Sequence, residues 1–248
     1  MYQLYSLRFV GRIMLLATAT YFLFNEPSQL DFINYFGFFD GIQFIDFLWM
    51  IFMAGLISEF FPRRFISIGS EKQFALHYRS NGHKKKELTS DIKNANLRAF
   101  IMLLVWIAPN LMIGFLYKNH IFFTKEWLLW FCLFYYVADL ICVLFFCPFQ
   151  FFIMQNRCCV TCRVFKWDSL MTFTPLFFIN SHFGISLIFV SAALGFLWEY
   201  RYYKYPERFF EKTNESLRCS QCTTYMCRSK LQRFKPKKEI QTSKKSCC

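Results

Sequence analysis

The sequence lacks the short signatures of common soluble enzymes. It has no Walker A run, no GxGxxG, no HExxH and no GxSxG elbow, so the phosphate cradle, dinucleotide turn, zinc helix and strained serine that those motifs encode are not expected. No Ser/His/Asp arrangement stands out, and no internal repeat of the transporter kind is visible. Acidic residues are sparse as well, with 16 Asp and Glu against 29 Lys and Arg, a net charge of +13 over 248 residues.

Apolar and aromatic residues are abundant. The chain is 55% hydrophobic and 22% aromatic, and it includes 35 Phe. A strongly basic chain this apolar keeps the two properties in separate segments, as a polytopic membrane protein with basic loops on one side does. A nucleic-acid groove is the other usual home for such charge. Here the basic residues flank apolar spans instead of gathering in one groove, so no nucleic-acid partner is expected.

Apolar runs lie at 9–24, 41–61, 97–117 and 127–153, and a fifth, 169–199, is interrupted by Asn180-Ser181-His182-Phe183-Gly184. One helix of that length exceeds the roughly 20 residues a bilayer needs. A polar, Gly-containing break reads as a turn, which gives two short spans, 169–181 and 183–199. The first arm contains Pro175 and is expected to be a full span or a re-entrant one. The expected fold is all-α, a bundle of about six spans in residues 1–200, followed by a basic, Cys-rich tail, 201–248.

The charges agree with this scheme. Of the 29 Lys and Arg, 27 fall at the N-terminus, in 62–98, in 154–168 or beyond Glu199, and only Lys118 and Lys125 occupy the alternate loops. Positive residues stay cytoplasmic, so both termini are expected inside the cell membrane. The N-terminal run resembles a signal peptide, but Asn25-Glu26-Pro27 offers no small-residue cleavage site, and an uncleaved helix is expected. Arg12 is expected to snorkel to the interface. Lys84-Lys85-Lys86 and the tail lysines suit anionic lipid head groups.

This topology places two thiol clusters in the reducing cytosol, where stable disulfides are disfavoured. Cys159 and Cys162 form one CxxC and Cys219 and Cys222 another. Each pair can place two thiolates on one ion, and tetrahedral Cys₄ sites are built from two such halves. The 56 residues between the halves are mostly the proposed hairpin, which leaves one face and returns to it. A joint site for zinc is expected, with mononuclear iron or an Fe–S cluster as the alternative. Cys158 and Cys227 are spare ligands. Free or lipidated thiols are the plain reading, which suits Cys247-Cys248 best.

The runs NRCCVTCRVFKWD at 156–168, MTFTPL at 171–176, YPERFFEKTNESLRCSQC at 205–222 and ISIGSEKQF at 66–74 resemble a family of bacterial polytopic membrane proteins. The resemblance implies a membrane bundle and brings no activity with it.

Asp139 falls inside the fourth run, where a carboxylate costs roughly 2.5–3.5 kcal/mol on insertion scales. It is expected to face a partner or a cavity. Asp46 and Asn110 are the candidate neighbours, and a structural hydrogen bond involving Tyr135 or Tyr136 is the plain alternative. Glu59 is expected to pair with Arg63 or Arg64, and His182 to be a solvated turn residue. Three functions follow: a structural or redox metal site on the cytoplasmic face, a transporter or channel whose polar path includes Asp139, or a membrane enzyme acting on a lipid or quinone.

Overall fold

The computed structural model describes residues 2–30, 44–61, 74–82, 88–121, 123–156, 162–179 and 181–218. Among them the chain is helical, with one isolated antiparallel bridge, Ser80 to Asn214. The helices are α1 (Tyr2–Asn25), α2 (Phe44–Glu59), α3 (Thr89–Lys118), α4 (Lys125–Leu144), α5 (Asp168–Phe173) and α6 (His182–Lys204).

Four of these, α1, α3, α4 and α6, are long and apolar enough to cross a bilayer. The exterior is far more apolar than that of a soluble protein. Phe189 and Phe196 are 74% and 73% exposed, whereas Asn110 and Lys166 are 1% exposed. A large apolar exterior around buried polar groups has a low free energy only in lipid. The chain is therefore a multi-pass, helical membrane protein.

Side-chain contacts give each helix its direction. Thr20 accepts from the Trp130 indole at 2.9 Å, while Arg12 reaches Asp139 at 3.1 Å, so α1 and α4 run antiparallel. Phe22 packs on Phe44, and Glu59 meets Lys166, so α2 returns to the end where α1 begins. Arg98 of α3 donates to the Met154 carbonyl at that same end, and Lys118 lies at the other. In α6, Ser186 accepts from Trp49 and Glu199 receives Trp167. The helical legs thus alternate in direction. Arg98, Arg163, Lys166 and the 201–218 segment share one end, called here the basic end.

Two runs depart from the expected spans. The run 127–153 is a single helix only as far as Leu144. Pro148 has no N–H, and its ring would clash with the carbonyl four residues back, which is that of Leu144. The chain then turns and re-forms as a short π-type turn, Phe149–Met154, ending at Gln155 in a left-handed conformation. The run 169–181 is short as well: α5 passes into a 3₁₀ turn, Thr174–Phe178. Ser181 then caps α6 by accepting from the Gly184 N–H at 3.1 Å, which supplies a partner for one orphan donor.

The core follows from these directions. Leu48, Phe52 and Leu56 of α2 share one buried cluster with Leu129 and Leu133 of α4 and with Phe173, Leu176 and Leu194. Gly114 of α3 is required by its neighbour, since a Cβ there would lie 2.2 Å from Cε1 of Phe178. Gly114→Ala should therefore displace that ring and lower stability by about 1–3 kcal/mol, read as a lower unfolding midpoint in detergent. In a Phe178→Ala background the same change should cost much less. Equal costs in both backgrounds would mean that the two side chains do not meet.

Candidate functional site

The polar interior begins with Arg12 and Asp139. Arg12 lies midway along α1, and its guanidinium finds three partners on α4. It donates to Asp139 Oδ2 at 3.1 Å, donates to the Tyr136 carbonyl, and stacks 3.6 Å from the Tyr136 ring centroid. The expectation that Arg12 snorkels is corrected: a half-buried carboxylate three residues from an aromatic face holds the cation inside the bundle. Asp139 accordingly pairs with Arg12 and not with its two expected neighbours. Asp46 sits in the first turn of α2, towards the other end. Asn110 lies deeper along the same wall, where it accepts from Tyr135 Oη at 3.4 Å and donates to the Trp106 carbonyl at 2.9 Å, beside the ladder gap left by Pro109.

A second pair lies close by. Lys166 Nζ is 2.8 Å from Glu59 Oε2. The approach is that of an ion pair without hydrogen-bond alignment, since neither atom makes a directed hydrogen bond. Arg63 and Arg64, the expected partners of Glu59, lie outside the described residues. Lys166, Glu59 and Asp168 all act electrostatically on one another or on Asp139. Asp168 accepts from the Ser169 N–H at 2.9 Å, and no cation lies within ion-pair distance of it among the described residues.

Asp139 and Asp168 both line a cavity of about 130 Å³. Most of its wall is apolar, including Met102, Trp106, Val143, Phe149 and Met171. Tyr135 extends the polar line from Asp139 to Asn110. One helical turn further along α3, Phe178 fills the notch at Gly114. The polar line thus starts at the basic end and stops against that ring. The cavity is large enough for several waters or a small solute.

Of the cysteines expected to hold a metal, Cys162 alone lies among the described residues. Cys162 is buried in an apolar cluster with Ala99, Met102, Met154 and Val164. Cys158, Cys159, Cys219, Cys222 and Cys227 lie outside the described residues, as do Asn180, His83 and Cys247-Cys248. Among the described residues no group of three His, Cys, Asp or Glu is arranged to hold a metal ion. His182 opens α6, on the end away from the cluster.

The NRCCVTCRVFKWD segment nevertheless has a structural role that its cysteines obscured. Arg163, 8% exposed, forks onto both carboxylate oxygens of Glu199 and lies 3.6 Å from the Tyr202 ring centroid. Trp167 donates to the same carboxylate at 2.7 Å, and Trp198 donates to the Arg163 carbonyl at 2.8 Å. Phe209, from the PERF turn, packs on Trp198 and Tyr202. Lys166 and Asp168 are thereby held against the end of α2. The pairing of KxD with Glu59 has no sequence signal, because both sit at the edges of apolar runs where ordinary interface charges also sit.

Comparison with family models, with curated proteins and with solved structures finds no match.

Arg163→Lys should not be conservative. A lysine keeps the charge but loses the planar fork and the stacking on Tyr202, at a cost of about 1.5–3 kcal/mol. Hydrogen exchange should quicken at the amides of 163–168. Unaltered exchange there would mean that the fork does not hold this turn.

Proposed function

We propose that this chain is a transport protein of the cell membrane, with its basic end cytoplasmic and its solute path running through the cavity beside Asp139. The observation that carries the reading is the Arg12–Asp139 pair inside the bundle, bordering a cavity. A lone structural contact between helices needs no cavity beside it, and intramembrane ionic groups usually mark pathways. The closed side at Phe178 and Gly114 fits one state of an alternating-access cycle, open towards the basic end. The orientation follows from the excess of Lys and Arg at that end, whose basic surface would rest on anionic head groups. In this arrangement both termini are cytoplasmic and the helical legs make about six passages.

A second reading concerns zinc, or iron in its place, held by Cys159, Cys162, Cys219 and Cys222. It is favoured by one observation: the 162–167 turn and the 206–210 turn both pack on the end of α6, through Phe165, Trp167, Trp198 and Phe209. An ion there would clamp the tail to that turn. The burial of Cys162 among apolar side chains ranks this below transport. Metal analysis of anaerobically purified protein tests it directly. Stoichiometric zinc or iron that falls in Cys159→Ser supports the site, and metal-free protein removes it.

For transport, purified protein in liposomes should carry a small cationic or amphipathic solute, and Asp139→Asn should abolish flux at unchanged insertion. Wild-type liposomes no leakier than empty ones across a panel of such solutes would reject the carrier reading. A quinone or lipid retained in the cavity of such flux-silent protein would point to an enzyme at the interface.

A further inference from the structure

Two further cavities lie one after the other along α3 and α6, away from the one beside Asp139. The first, of about 480 Å³, is at the basic end, where Arg98 of α3, Asn156, Arg163, Tyr202 of α6 and Phe209 line it. The second, of about 470 Å³, is almost wholly apolar and runs between α3, α5 and α6, past Leu103, Ile107, Leu170, Ile188, Ala192 and Phe196. Leu103, Ile107, Leu170 and Phe196 are exposed, so this groove faces the lipid. The Arg163–Glu199 fork stands at the border of the two. Arg163 lines the first, Glu199 lines the second, and they meet at 2.7 Å.

The polar cavity has hydrogen-bond donors to spare. Arg163 and Tyr202 are only 8% and 5% exposed. Arg163 spends both terminal nitrogens on Glu199, and neither its Nε nor Tyr202 Oη makes a directed hydrogen bond. Buried donors left in that state cost free energy that a bound acceptor would recover. Arg98 adds to them. It donates to the Met154 carbonyl and to Gln155 Oε1, both at 2.8 Å, which fixes its guanidinium and uses two of its five N–H groups. Two guanidinium groups and a phenol around one cavity suit the several acceptor oxygens of a phosphate. Asp91 and Glu211 also line the cavity. Asp91 is held by Lys212 at 2.6 Å.

We propose that these two cavities form one phospholipid site, with the phosphate among Arg98, Arg163 and Tyr202 and an acyl chain in the apolar groove. The two are stacked at the depths that such a molecule needs. On α3 the groove begins about 7 Å beyond Arg98. On α6 it follows the helix from Glu199 back to Ile188, about 16 Å of helical rise. One leaflet offers roughly 15 Å of hydrocarbon, half of the bilayer core. A soluble phosphate compound would use the first cavity and leave the second unfilled. The head of the lipid would also brace the 162–167 turn against the end of α6, because Arg163 and Tyr202 belong to those two elements.

Native mass spectrometry tests the site. The full-length protein is delipidated in detergent and titrated with dioleoylphosphatidylglycerol. The wild type should retain one such lipid above the non-specific series. Dioleoylglycerol, which has the same chains without the phosphate, should not be retained. Tyr202→Phe keeps the ring against Arg163 and Phe209 and removes the hydroxyl alone, so retention should weaken about tenfold. Ala192 is exposed, and Ala192→Phe fills the groove without touching the polar cavity. It should weaken retention as well, and it keeps the test decisive if the tyrosine change disturbs packing.

Inorganic phosphate separates the two sources of the anion. It should displace little lipid, since it gains nothing from the groove. Full displacement by phosphate, with lipid retention indifferent to Ala192→Phe, would assign the cavity to a soluble phosphate compound and overturn the proposal. A wild type that retains no lipid, equal retention of dioleoylglycerol, or retention unchanged in a folded Tyr202→Phe would overturn it too. So would a lipid-free dimer that disappears in Ala192→Phe, which would give the groove to a second copy of the chain. Flux is not read, so the outcome is independent of the transport reading.

Discussion

A charge inside a bilayer has to be matched by another charge, because neither lipid nor aliphatic side chains solvate it. The rest of this bundle is arranged around that constraint at Arg12 and Asp139. The pair ties α1 to α4 at one depth, and the Thr20–Trp130 hydrogen bond and the Phe24–Trp127 contact continue the same antiparallel register. Each of these contacts is modest alone. Together they leave no alternative register in which Arg12 has a partner, since a shift by one turn would leave both ions unpaired at several kcal/mol each.

The same logic extends outward from the pair. Lys166 is drawn inside because Glu59 is there to receive it, and the Arg163 fork on Glu199 fixes the turn that carries Lys166. Aromatic rings fill the space between these charges: Tyr136 under Arg12, Tyr202 under Arg163, and Trp167 and Trp198 around the turn. Tyrosine and tryptophan suit this layer because each offers an apolar body and a polar tip. Asp168 is then placed beside the cavity by contacts made for its neighbours. Packing and charge pairing are thus links of one chain of causes here.

Much of the architecture was legible in the sequence. Long apolar runs set by bilayer thickness announced helices, and the one-sided placement of Lys and Arg gave the end where the legs gather. Asp139 also announced itself, as a carboxylate inside an apolar run. Its partner did not: Arg12 and Asp139 are 127 residues apart, and only the crossing of α1 over α4 brings them together. Arg12 lies close enough to the N-terminus to pass for an interface residue. The end of α4 at Leu144 was readable from Pro148, but hydropathy continues across the break and hides it. The NRCCVTCRVFKWD segment drew attention to its cysteines, whereas Arg163, Lys166, Trp167 and Asp168 make its described polar contacts. A run of thiols has a chemical signature in sequence, while an ion pair between loop and helix has none until the fold exists.

The account turns on whether Arg12 and Asp139 are one interaction, and a double-mutant cycle measures that. Unfolding of the protein in detergent should be followed for Arg12→Met, Asp139→Leu and the pair. Each single change leaves a buried ion alone and should cost about 3–5 kcal/mol. The double change leaves an apolar contact and should restore most of that loss. Single changes that cost little, or a double change equal to the sum of the two, would show that the ions do not meet and would remove the basis for the bundle's register and for its site.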